Sequence, residues 1–130
     1  MQVEENEIVK FWIDDGILFS SVPKPIDIGL EEAKLIIETR HKISNNTKQY
    51  WCFSLTNLKS YSKEGRDYAD IHGQDLLYAS AVVVNNHVHM FLYNIFVKIK
   101  NPKIPFQAFN KEEKALLWLN EIKHHLNSKA

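Results

Sequence analysis

Val82 to Leu119 reads VVVNNHVHMFLYNIFVKIKNPKIPFQAFNKEEKALLWL, and this stretch decides the fold class. Ala79 to Val84 is apolar without alternation, as a central parallel strand covered on both faces would be. Asn85 and Asn86 then cap a helix over 87–100. Its apolar residues Val88, Phe91, Leu92, Ile95, Phe96 and Ile99 repeat the i, i+3, i+4, i+7 spacing. Asn101-Pro102 ends that helix, because the residue before proline avoids the α region. Pro105 to Phe109 is a short strand, placed at an edge because it starts with proline. Asn110 and Glu113 have capping-box spacing for a closing helix. Ala115, Leu116, Trp118, Leu119 and Ile122 face its core, and Asn127 to Ala130 is expected to fray. Strand, helix, strand, helix is the grammar of an α/β sheet.

Working back, Ile8 to Asp14 and Ile17 to Val22 are β-rich runs joined by Asp14-Asp15-Gly16, a hairpin signal. Pro23 and Pro25 stop the second strand. A helix opens at Gly29-Leu30 and runs to about His41, with Leu30, Ala33, Ile36 and Ile37 as its stripe. Glu31 and Glu32 lie in its first turn and Arg40, His41 and Lys42 in its last, as the helix dipole favours. Tyr50 to Leu55 is a third strand. Thr56 to Tyr61 reads as a loop at its carboxyl end, Ser62 as the N-cap of a helix over 63–71, and 74–78 as one more helical turn. The order is β-β-α-β-α-β-α-β-α. It predicts a five-stranded mixed sheet in one domain spanning 1–130, with right-handed crossovers between parallel strands.

Composition narrows the function classes. The chain has 130 residues, 45% hydrophobic and 25% charged, and its 16 basic residues balance 16 acidic ones. That balance gives no electrostatic case for nucleic acid. One cysteine, Cys52, allows no internal disulfide and suits a reducing compartment. No signal peptide and no apolar run of membrane-spanning length is evident, so a cytoplasmic protein is expected by elimination.

The local patterns resemble the STAS/SpoIIAA-like superfamily, and most closely its small bacterial members of uncharacterised function, including Bacteroidetes-type proteins. The likeness rests on Asp15-Gly16-Ile17-Leu18, Leu30-Glu31-Glu32-Ala33, Arg66-Asp67-Tyr68, Ala81 to Val84, Asn94-Ile95-Phe96, Lys100-Asn101-Pro102, Ile104-Pro105, Phe109 and Trp118-Leu119. It spans most of the chain and includes no catalytic motif. It implies a five-stranded sheet with helices packed mainly on one face. In the anti-sigma-factor antagonists of that superfamily, a kinase phosphorylates a serine in an Asp-Ser-Ser-Gly pattern. Ser62-Lys63-Glu64-Gly65 stands in that place, with Glu64 at the acceptor position. A more distant likeness is to the larger CRAL-TRIO lipid-transfer domains.

No catalytic, metal or cofactor set emerges. His87 and His89 are two residues apart on a helix, and His124 and His125 are adjacent, so neither pair shares a face. Cys52 lies between aromatics, where a structural thiol is expected. Asp67 and Asp70 share a charged helix face with Lys63 and Arg66. The expected activity is a non-enzymatic interaction or regulatory module with a protein partner not identifiable from sequence. Its candidate surface joins Asn57, Ser60, Tyr61, Ser62, Glu64 and Arg66 to Asn86 and His87, because both segments follow parallel strands. A second apolar stripe at Met90, Tyr93 and Val97 is either buried by neighbouring helices or used as an interface, with a two-fold homodimer as the expected closed form. The alternatives are an apolar-ligand or lipid pocket beside helix 87–100, or an enzyme using Tyr61, His72 or His87.

Overall fold

The computed structural model describes residues 3–85 and 103–129. Eight strands occur among them: β1 (Val3–Glu5), β2 (Lys10–Asp14), β3 (Ile17–Ser21), β4 (Ile26–Ile28), β5 (Gln49–Ser54), β6 (Leu58–Tyr61), β7 (Leu77–Val83) and β8 (Phe106–Phe109). The described helices are α1 (Leu30–Ser44), α2 (Lys63–His72) and α3 (Glu112–Lys129). The expected helix over 87–100, with its stripes, lies outside the described residues.

The main sheet has the order β1-β2-β3-β5-β7-β8. β1, β2 and β3 pair antiparallel, and β3, β5, β7 and β8 pair parallel. All five expected strands are in it. The hairpin forms at Asp15 and Gly16, with φ 50° and 76°, the paired positive values of a type I′ turn. The sixth strand, β1, was not expected from its acidic sequence. Asn6 creates it: its Oδ1 accepts from the amides of Ile8 and Val9 at 2.9 and 3.1 Å, folding the chain back.

Alternation along the strands makes two cores. On one face Phe11, Leu18, Trp51, Phe53 and Val82 pack with Ala33, Ile36, Ile37 and Ile43 of α1. On the other, Ile17, Tyr50, Cys52, Ala79, Ala81 and Val83 pack with Ala115 and Leu119 of α3. α1 and α2 pack on each other, so two of the three described helices share one face while α3 takes the other. Coverage on both faces explains why β5 and β7 read as continuous apolar runs.

Four expectations change. Thr56 to Tyr61 is not all loop: after a turn closed by Leu58 N donating to Leu55 O at 3.0 Å, residues 58–61 form β6, paired in parallel with β4 as a separate two-stranded sheet. The segment 74–78 is not helical. Leu76 adopts φ 59°, its carbonyl accepts from Gln49 N at 3.1 Å, and β7 begins at Leu77. α1 continues to Ser44, ended by Asn45 in the left-handed region at φ 50°. α3 runs through 127–129 instead of fraying from Asn127.

Candidate interaction site

β6 and α2 form a corner that carries six of the eight residues singled out from sequence. Asn57 anchors its base: its side-chain amide donates to Val22 O at 2.7 Å, and its carbonyl accepts from Ile26 N at 3.1 Å. At the other end of β6, Ser62 N donates to Ile28 O at 2.8 Å. The corner backbone is thus bonded on both sides to the segment after β3.

On this frame Ser60, Ser62 and Glu64 are exposed and Arg66 is half-buried. Ser60 Oγ donates to Asp27 Oδ1 at 2.6 Å, and Lys59 Nζ lies 3.9 Å from Asp27 Oδ2. Ser62 is the N-cap, its Oγ accepting from Gly65 N at 3.0 Å. Arg66 turns back one helical turn, its Nε donating to Ser62 O at 3.4 Å. Lys63 pairs with Asp67 at 2.9 Å. These charged pairs are exposed and add little stability. Gly65 leaves no room for a side chain: a Cβ there would sit 2.9 Å from the Gly29 carbonyl. The start of α2 therefore lies directly on the start of α1.

Tyr61 is half-buried at the inner side of the corner. Burial pushes its phenol up to about 12, and the Arg66 charge pulls weakly the other way. His72 ends α2, its ring tilted 41° against that of Tyr68 with centroids 4.5 Å apart. Tyr61 and His72 are thus separated by about 15 Å of helix and do not converge. Asn86 and His87 lie outside the described residues, as do Met90, Tyr93 and Val97 and the pocket expected beside them. Among the described residues, no group of three His, Cys, Asp or Glu side chains could hold a metal, and no helix is long and apolar enough to cross a membrane.

Two residues were missed from sequence. Asp27, the partner of Ser60 and Lys59, sits in a three-residue strand after two prolines, which carries no local signal. Arg40 is fully buried in α1. Its Nη2 donates to the carbonyls of Asp75 at 2.9 Å and Gly73 at 3.4 Å and to Asp75 Oδ1 at 3.3 Å. The guanidinium lies over the Trp51 ring at 5.1 Å, and Nε and Nη1 have no partner among the described residues. Burial lowers its pKa from 12.5 to about 10, against the opposing pull of Asp75. Its position was a signal: residues 33, 36, 37, 40 and 44 form one helical stripe.

The comparisons with known proteins fit this architecture. Residues 11–123 match the family model described as Domain of unknown function (DUF7793). The chain belongs to the DUF7793 family. No curated protein matches it. Among solved structures it is similar to an uncharacterised protein of the DUF3478 family with a SpoIIAA-like fold from Shewanella loihica PV-4. The TM-score is 0.65 at 10% identity, covering 92% of this chain and 99% of that one. The fold is SpoIIAA-like, as the STAS resemblance implied.

Proposed function

We propose that this DUF7793 chain is a single-domain, non-enzymatic interaction or regulatory module that holds a protein partner at the β6–α2 corner. The supporting observation is the fixed frame of that corner. Ser60, Ser62 and Glu64 stand exposed on a backbone tied down by the Asn57 and Ser62 bonds. A preordered surface loses less entropy on binding than a flexible loop. Its mixed polarity, with Lys59, Lys63 and Arg66 beside Asp27 and Glu64, suits a protein surface carrying both charges.

The test starts with affinity capture from the native host using the native chain and the variants Ser60→Arg and Glu64→Lys. Any protein captured by the native chain is then purified and its binding measured directly. Both variants should weaken that complex about tenfold or more. Equal affinity for all three chains would remove the corner from the interface.

A further inference from the structure

The second face of the main sheet is only partly clothed. α3 packs on β5, β7 and β8. Of the half formed by β1, β2 and β3, α3 reaches Ile17 on β3, and among the described residues no helix packs extensively on this face of β1 and β2. Strand register places one apolar rung across that half: Val3 is opposite Trp12, and Trp12 opposite Phe19. Trp12 and Phe19 stack at 5.5 Å with 7° between planes, and Val3 is 46% exposed. A hollow of about 220 Å³ lined by Val3, Lys10, Trp12 and Ser21 adjoins the stack.

The charges flanking the rung are arranged in a particular way. Residues on one face of a strand recur every second position, so Lys10, Trp12 and Asp14 share this face. Asp14 pairs with Ile17 and Trp12 with Phe19, both of the α3-side core, which fixes the assignment. Lys10 and Asp14 therefore leave β2 about 7 Å to either side of Trp12, and Lys10 Nζ leans over the Trp12 ring, 5.8 Å from its centroid. Glu5, opposite Lys10 in register, is the other charge on the Lys10 side.

We propose that a second copy of the chain covers this half-face, in a two-fold dimer whose axis runs along the Val3–Trp12–Phe19 rung. Such an axis sets each Trp12 against the partner's aromatic rung and each Lys10 against the partner's Asp14, twice over. The polarity Lys–Trp–Asp along β2 is self-complementary under that operation and under no parallel stacking of the same strands. Aligned sheets cross at about 30°, which shifts residues 7 Å from the axis by only ~4 Å, within the reach of a lysine stem. The aromatic rung supplies a buried centre and the charges fix its register. This surface is separate from the β6–α2 corner.

The test is the solution mass of the native chain by sedimentation equilibrium, with Lys10→Asp, Asp14→Lys and the double exchange. The native chain should dimerise below about 100 µM. Each single reversal should weaken the dimer about tenfold or more, and the double exchange should restore it to within about threefold. Thermal melts accompany each variant. If Asp14→Lys disturbs the adjoining turn, native against Lys10→Asp decides, since Lys10 lies at the far end of β2. A native monomer throughout that range overturns the proposal. So does a dimer indifferent to Lys10→Asp, or one lost only on Tyr93→Glu.

Discussion

Replacing Arg40 by Met tests what holds the α1–α2 layer to the sheet. The guanidinium is fully buried, and its lowered pKa corresponds to a burial cost on the order of 3 kcal/mol. The Nε and Nη1 nitrogens, without partners among the described residues, add to that cost. On the favourable side stand the bonds to the Gly73 and Asp75 carbonyls, worth about 1 kcal/mol each. The cation over Trp51 contributes about 2 kcal/mol when desolvated. The Asp75 carboxylate is 59% exposed, so solvent screens its share. The terms nearly cancel. Met keeps an unbranched stem against Trp51 and removes the burial cost, so Arg40→Met should change stability by no more than about 1 kcal/mol. Arg40→Ala also loses the stem and opens a cavity, and should cost about 3 kcal/mol. Urea unfolding followed by tryptophan fluorescence measures both, provided the slopes agree. If Met costs as much as Ala, the polar bonds outweigh the burial cost and the near-cancellation is refuted.

Two other outcomes follow from single side chains. Ser62→Ala should destabilise by about 1 kcal/mol, whereas Ser62→Asp, still a good N-cap, should stay within a few tenths in the same urea assay. Burial, and secondarily the Glu112 charge, push the Cys52 thiol from 9.0 to about 12. The unfolded thiol ionises first, so its contribution is intact below pH 9 and is lost as pH rises from there toward 12. Native protein should therefore label slowly with thiol reagents at pH 8 and at once in denaturant, and Cys52→Ala should flatten the alkaline fall in stability; fast native labelling would refute the burial argument.

Much of the sheet was legible because its strands carry a period the sequence shows. β2 and β3 are β-branched and aromatic around Asp15-Gly16, and β5 and β7 are apolar on both faces. What escaped was structure whose cause lies elsewhere in the chain. β4 and β6 are short and mixed in polarity, and each exists because the other supplies its hydrogen bonds. Leu76 takes a left-handed turn that no local residue announces, since the constraint comes from Gln49. Ser62 reads as a cap in the sequence and is one in the structure. The anchoring of the β6–α2 corner through Asn57 and Asp27 depends on contacts over thirty residues away, beyond any local pattern.

The place of β5 between β3 and β7 bears on how the chain reaches its native state. Each of those pairings joins segments roughly thirty residues apart, so both must close long loops before any parallel ladder rewards them. The Asp15-Gly16 hairpin needs no such closure and forms on a microsecond scale. Folding speed should therefore be limited by delivering Gln49–Ser54 to a hairpin already made. Substitutions in β5 that weaken both neighbours at once should slow refolding, whereas changes at the β8 edge should mainly quicken unfolding.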